Sequence, residues 1–506
     1  MPHFPLLPRL LAAFLPLALL AGQAQAAYNL RYTTTAPGAM TFTGNTIGLD
    51  SVSNSNNPPT TGAGRQSIGA YIAEGDPGSY SGHPVPSSND WTKNRSSAVL
   101  RIPAGATVLY AELIWGGSYS YGNQFRTVAE RNGNVDFITP LGSNSVASDT
   151  ATRSDLGTIG GSGGTCATTS PPCFYVRSAN VTSTVQALGV GNHTVSVGRI
   201  PATMGSGENN LNTGGWTLAV AYKDTAMAEH KMNIYVGAEF IATGGTAAPA
   251  AVTDFCTAPA GAQSGRLMAS AMEGDSGIKG DAFRFGATNP PPVGNNLSGP
   301  NNLVGNFFAG QINGDSGALD TSGSMGSMNK TPGSANGPAR QGYDITNVPL
   351  DSFLLPNQTT AYAEPRTSTD TYMVNALGIQ IKVGQPGFPT AVKRVNGIAA
   401  DITHFPAYQT RVGDILTYSI KLNNSTGTAS ATSVTFTDML PPGLSFVPGS
   451  FTRSNVAAMG ADPATPSATD PDLAGAGAVS MPAANPVAPS TVALPDIPAG
   501  QGIVVQ

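Results

Sequence analysis

The chain has 506 residues, among them 61 glycines and 40 prolines, and charged residues make up only 11% of it. Lys and Arg number 25 against 30 Asp and Glu, a formal net charge of −5, so no basic stripe exists to neutralise phosphates and nucleic acid is not an expected partner. Hydrophobic residues at 40% are enough to build cores, which argues against wholesale disorder. Abundant Gly, Pro and small polar residues shorten every regular element and predict an all-β chain of many short strands.

The first 26 residues read as a signal peptide. Arg9 supplies a positive charge, residues 10–22 are an apolar run, and Ala24-Gln25-Ala26 is a small-x-small cleavage signal. The mature chain is expected to begin at Ala27 and to be secreted, extracellular or held at the cell surface. No later run approaches ~18 apolar residues, so no membrane span is expected after the signal. Cysteine usage agrees with export. Of three cysteines, Cys166 and Cys173 flank a short turn containing Pro171-Pro172, and a disulfide between them is expected. Cys256 is then reduced and buried beside Phe255; its pairing with either of the others is the alternative. Three cysteines with no CxxC and no neighbouring histidine do not make a structural zinc site.

Residues 27–385 read as a β-rich head, a β-sandwich or jelly-roll-like region of one or two subdomains. Strand-like runs are SAVLRI (97–102), TVLYAELIW (107–115), HTVSVGRI (193–200), WTLAVAYK (216–223) and KMNIYVGAEFI (231–241). The turn Pro103-Ala104-Gly105-Ala106 joins the first two. In TVLYAELIW, Val108, Tyr110, Glu112 and Ile114 share one face. Leu109, Ala111, Leu113 and Trp115 share the other, the better core candidate. WTLAVAYK sets Trp216, Leu218, Val220 and Tyr222 on one side, as an inner strand does. Residues 286–345 are rich in Gly, Asn, Pro and Ser. So long a stretch either carries short strands or lies over the surface. Strand character returns at TTAYAEPRTST and at TYMVNALGIQIKV (371–383).

A linker at 386–392, within the composition that begins GQPGFP at Gly384, leads to a region of different texture at 393–506. ILTYSIKL alternates, NNSTGTAS turns, SVTFTDML alternates again, PPG turns and LSFVPGSF follows as another strand. This is the grammar of an immunoglobulin-like sandwich. Leu416, Tyr418, Ile420 and Leu422 form the buried face of the first strand; Ile415, Thr417, Ser419 and Lys421 face water. Residues 455–490 are a Pro/Ala-rich insertion.

The region 393–506 resembles the bacterial surface-repeat family called domain of unknown function 11. The residues that carry the resemblance are Val412-Gly413-Asp414, Thr417-Tyr418-Ser419-Ile420, Asn424, Thr437-Asp438-Met439-Leu440-Pro441-Pro442-Gly443-Leu444 and Phe446-Val447-Pro448-Gly449-Ser450. In the head, TFTGNTIGL (41–49), AELIWGG (111–117), GGWTLAVAYKD (214–224), EGDSGIKGD (273–281) and ALGIQI (376–381) resemble phrases of uncharacterised heads of secreted bacterial surface proteins. The resemblance implies a cell-surface architecture, with further repeats or an anchor C-terminal to residue 506. It also raises a Lys–Asn isopeptide crosslink from Lys393, whose acceptor would lie beyond this sequence.

Catalytic patterns are sparse. GDSG occurs at Gly274–Gly277 and at Gly314–Gly317, each without the Gly-Pro that follows it in chymotrypsin-like proteases. His230 lies too close before Ser276 for a two-barrel enzyme. Gly160-Gly161-Ser162-Gly163-Gly164 fits a nucleophile elbow formally but reads as a flexible turn. The five histidines, His3, His83, His193, His230 and His404, show no metal-ligand spacing. The acidic turn holding Glu273, Asp275 and Asp281 offers the hard oxygen donors that calcium takes, against the simpler reading of a solvated turn.

Two functions follow. The first is a non-enzymatic structural or adhesion-type protein, its head presented on an immunoglobulin-like spacer and bound to a surface glycan or to a host or envelope protein. The second is a secreted glycan-binding or glycan-hydrolysing protein, glycoside hydrolase being the least unlikely enzyme class. Glu112, Glu239, Glu273 and Asp281 are the available acids. A groove lined by Trp91, Trp115 or Trp216 favours the second, and buried tryptophans favour the first.

Overall fold

The computed structural model of the chain describes residues 28–52, 55–58, 67–121, 124–158, 166, 173–205, 212–242, 244–274, 276–331, 340–388, 391–400, 412–438, 440, 442–447, 450–458 and 490–506. Residues 1–26, expected to be a signal peptide, the glycine-rich run 160–164, Asp275 and most of 455–490 lie outside these residues. The chain is all-β. Among the described residues its α-helices are two short ones, Val128–Arg131 and Thr182–Leu188.

The head is built around one long strand, Tyr28–Thr46. Its first half pairs antiparallel with Glu229–Ile241, and from Gly38 onward it pairs with Gly214–Lys223. Gly38 sits at the handover, where a Cβ would lie 2.0 Å from the Tyr222 carbonyl oxygen. The strand therefore belongs to two sheets. The first inner sheet runs Ser154–Thr158, Cys173–Asn180, Thr107–Tyr121, Gly214–Lys223 and the second half of the long strand. The second runs from the first half through Glu229–Ile241, Tyr372–Lys382 and Gly265–Met272 to Tyr343–Pro349.

Three apolar seams stack these sheets into four layers. In the middle seam, Met40, Phe42, Ile114 and Val176 of the first inner sheet meet Ile234, Met268, Ile345 and Met373 of the second. The other face of the first inner sheet packs Leu113, Trp115, Trp216 and Leu218 against Leu100, Phe137 and Val195. Those three belong to an outer sheet of Arg95–Ile102, Gly191–Gly198, Val135–Thr139 and Gly142–Val146. The other face of the second inner sheet packs Leu267, Leu377 and Ile379 against Phe283, Phe285 and Phe307. Its cover is a three-stranded sheet of Ala250–Val252, Ala361–Thr367 and Asp281–Gly286.

Both inner sheets are thus buried on both faces. An antiparallel sheet with one wet face alternates cleanly; one sealed on both sides does not, which is why TVLYAELIW alternates imperfectly. A bulge at Leu109 adds a correction, because the register with Tyr222 and Ala221 skips it. Val108 consequently packs with Ala111, Leu113 and Trp115 rather than on the face of Tyr110 and Ile114.

The polar stretch 286–345 is held by isolated bridges, including Gly299↔Asn302, Leu303↔Asn306 and Asn313↔Leu319. Its asparagines fasten it: Asn302 Nδ2 donates to Phe307 O at 2.7 Å, and Asn329 Nδ2 to Ile312 O at 2.6 Å. Such self-packing lets a loop with few apolar residues keep one shape.

Beyond the head, Ala391–Ala400, Ile415–Asn423, Gln501–Val505 and Ala457–Ala458 form one sheet, and Thr435–Asp438 pairs with Ser490–Ala493. A small core gathers Ile420, Phe451, Ile497, Ile503 and Val505, with Leu422 against it. The side chain of Asn424 is fully buried and fixes the entry to this unit. It accepts from Gly387 N at 2.7 Å and donates to Ala429 O and Ile497 O, each at 2.9 Å. Two expectations are corrected here. Residues 444–447 of LSFVPGSF form no strand. Lys421, expected in water, is only 6% exposed.

Candidate functional site

The sequence candidates are dispersed by the fold. Trp115 and Trp216 are fully buried in the seam between the first inner sheet and its cover, and Trp216 Nε1 donates to Ser96 Oγ at 3.0 Å. Trp91 is half-buried, at the start of the 3-10 turn Trp91–Lys93. The Arg126 guanidinium lies 5.6 Å from its ring centroid, and Phe125 beside Arg126 is 40% exposed.

Glu112 is fully buried on the middle-seam face of its strand. It accepts from Arg31 Nε at 3.0 Å, from Ser178 Oγ at 2.5 Å and from the Tyr110 hydroxyl. Arg31 also reaches Asp149 at 2.7 Å. A carboxylate so fully engaged is a structural ion-pair partner. Glu239 is partly buried, which raises its pKa, and it accepts from Ala248 N at 3.3 Å.

The disulfide forms as expected: Cys166 and Cys173 are bonded, with Cα atoms 6.0 Å apart. Cys256 is free but exposed, not buried. Phe255 takes the core position instead, 7% exposed among Val252, Leu354 and Val383, so the alternation turns the cysteine outward. His230 does not face Ser276; its Nδ1 lies 2.8 Å from Gly38 O, and burial lowers its pKa. His83, 2% exposed, has Nε2 2.8 Å from the Asn56 carbonyl, to which it donates, and burial lowers its pKa too.

The acidic turn falls at the edge of the second inner sheet. Glu273, at φ 72°, and Asp281 are both buried, and Asp275 lies outside the described residues. Asp281 accepts the Phe308 amide N–H, and burial pushes its pKa up to about 7. Among the described residues no three His, Cys, Asp or Glu side chains gather as a metal-holding group.

A group that sequence reading missed lies beside this turn. Asp344, on the edge strand Tyr343–Pro349, is 1% exposed. Its Oδ1 accepts from Gln311 N at 2.9 Å, while Oδ2 is buried without a partner. Oδ2 lies so close over Gly274 that a Cβ there would meet it at 1.8 Å. Burial, with the Asp281 charge adding, raises the Asp344 pKa well above the ordinary value. Ile312 forms a parallel bridge with Ile345, and both side chains enter the middle seam. Side chains alternate along a strand, so Gln311, Asn313, Asp344 and Thr346 share the opposite face. All four are at least 97% buried, and each holds an oxygen with no partner: Gln311 Oε1, Asn313 Oδ1, Asp344 Oδ2 and Thr346 Oγ1. Such orphans are rare enough to need a cause. No signal short of the 312–345 bridge could have found this array, because in sequence it reads as loop and edge-strand polarity.

No protein-family model matches the chain, and no curated protein matches it by sequence.

Proposed function

We propose that residues 27–385 are the non-catalytic head of an exported cell-surface or extracellular protein with a structural or adhesive role. Residues 393–506 are its immunoglobulin-like spacer. The observation that carries the reading is the use of the large aromatics and acids. Trp115, Trp216 and Glu112 are fully enclosed, whereas glycan hydrolysis needs accessible aromatics and two facing carboxyl groups. The signal sequence at 1–26 and the surface-repeat resemblance around Val412–Ser450 support export and presentation. The partner is a surface glycan or an envelope or host protein.

A glycan-binding reading keeps one support, the half-buried Trp91 with the Arg126 guanidinium over its ring and, beside Arg126 in sequence, the exposed Phe125, over which Arg131 lies. The test uses the purified mature chain, 27–506, on a glycan panel with a reducing-end assay alongside. No release of reducing ends is expected, and turnover would overthrow the non-catalytic reading. Glycan capture that Trp91→Ala abolishes would move the function to the second reading.

A further inference from the structure

We infer that Gln311, Asn313, Asp344 and Thr346 form a calcium site buried at the outer edge of the second inner sheet. The site differs from the acidic turn in its donors, which are one carboxylate, two carboxamide oxygens and a hydroxyl.

Orientation is the first support. The Gln311 amide nitrogen donates to Ala309 O, and Asn313 Nδ2 donates to Asn302 Oδ1 at 3.3 Å. Both amide groups are therefore turned by their own hydrogen bonds, nitrogen outward to the loop and oxygen left over. Asn302 is itself held, donating to Phe307 O. The network leaves oxygens at all four unpartnered positions, and the Thr346 hydroxyl can turn its lone pairs toward a cation.

Charge is the second. Among the described residues no cationic side chain bonds Asp344; its Oδ1 takes the Gln311 amide, and the charge that bears on it is a second carboxylate, Asp281. A carboxylate 1% exposed with another carboxylate near it is costly to ionise alone, and a bound cation removes that cost. Hard oxygen donors, most of them neutral and at flexible angles, suit Ca²⁺ with its six to eight ligands, the remainder supplied by water or main-chain carbonyls. Mg²⁺ is disfavoured because it demands a stricter octahedron and gives up its water reluctantly. Adjacent strands lie ~4.8 Å apart, so side chains from neighbouring strands of one face can meet around a single ion.

The test is calorimetric titration of the chelator-stripped mature chain with CaCl2 and, separately, MgCl2, with melting curves in each. One Ca²⁺ per chain is expected, with Mg²⁺ much weaker, and a melting temperature higher by about 5 °C at ~100-fold excess over Kd. Asp344→Asn should lower Ca²⁺ affinity at least tenfold. In chelator the same variant should melt at or above the parent, because it removes a lone buried carboxyl. A merely structural Asp344 would give the opposite sign there. Thr346→Val, nearly isosteric, should weaken Ca²⁺ binding without changing the chelator melting curve, and it decides the matter if Asp344→Asn fails to fold. Identical melting in chelator and in Ca²⁺, or Ca²⁺ affinity unchanged by Thr346→Val, would overturn the site.

Discussion

Gly215 lies where the two inner sheets approach closely, and replacing it tests the layered packing directly. It lies on Gly214–Lys223, and a Cβ at this position would fall 2.4, 2.6 and 2.7 Å from three ring atoms of Tyr343 on the facing sheet. Carbon atoms rest at ~3.5–4.0 Å, so the ring must retreat by about 1 Å. It is not free to do so. The Tyr343 hydroxyl is 3.0 Å from Thr217 Oγ1 and accepts from Asn375 Nδ2 at 3.0 Å, and Asn375 Oδ1 accepts from Ser270 Oγ at 2.5 Å. Moving the ring strains this buried network as well as the packing. Overpacking costs ~1–3 kcal/mol, while alanine in place of glycine in a strand returns roughly 0.5–1 kcal/mol of chain entropy. Gly215→Ala should therefore destabilise by about 1–2 kcal/mol in urea unfolding followed by tryptophan fluorescence. With the ring removed in Tyr343→Leu, the same change should be neutral or slightly stabilising, a coupling of at least ~1 kcal/mol. Gly294→Ala, where a Cβ meets nothing within 4 Å, is the control and should be silent. Equal losses from Gly215→Ala in both backgrounds would refute the contact as the cause.

Three further outcomes are expected. Reducing the Cys166–Cys173 bond or replacing both residues by serine should cost about 2.5 kcal/mol, the chain-entropy value for so short a loop, as read in urea unfolding. On the native chain, iodoacetamide should label Cys256 alone, since it is the free and exposed cysteine; peptide mapping checks both positions. The third concerns pH. His83 and His230 have folded pKa values below the ordinary 6.5, so the unfolded chain binds protons that the folded chain refuses. Stability should be full above about pH 6.5 and fall as pH drops through that value. The double variant His83→Gln, His230→Gln should flatten the slope between pH 7 and 5, and an unchanged slope would exclude the histidines as its origin.

The strands legible in sequence are those with dense apolar content. The runs at 97–102, 107–115, 216–223 and 231–241 fall within strands, and those at 193–200 and 371–383 overrun Gly191–Gly198 and Tyr372–Lys382 by one or two residues. The strand that organises the head, Tyr28–Thr46, was not legible beyond the phrase at 41–49. It is threonine-rich and interrupted by Pro37-Gly38, and its first half is largely half-buried or exposed, so local pattern barely distinguishes it from loop. Its identity comes from partners about 190 residues away. The disulfide was readable because spacing and turn chemistry are local. The burial of Cys256 was misjudged because one buried neighbour, Phe255, does not say which way the next side chain points. Lys421 was misjudged for the converse reason: alternation names the two faces of a strand but not whether both are covered. The oxygen array under the 299–309 loop depends on a parallel bridge between residues 33 positions apart, and no short-range pattern encodes that.

The sharing of the Tyr28–Thr46 strand by both inner sheets has a kinetic consequence. The first strand of the described chain cannot settle until residues far downstream exist: Gly38 faces Lys223, Tyr28 faces Gly237, and Asn45 accepts from Arg340. The head therefore has a high contact order, and folding dominated by such distant pairings runs on millisecond-to-second timescales rather than microseconds. While only its first two hundred residues exist, the Tyr28–Thr46 strand lacks both partners, although Arg95–Ile102 and Gly191–Gly198 can already pair. Once Glu229–Ile241 has arrived and closed against it, the two sheets are stitched through a single backbone and neither can open without tearing the other. Hydrogen exchange at the Tyr28–Thr46 amides should accordingly be as slow on the side facing Gly214–Lys223 as on the side facing Glu229–Ile241, the signature of one cooperative unit.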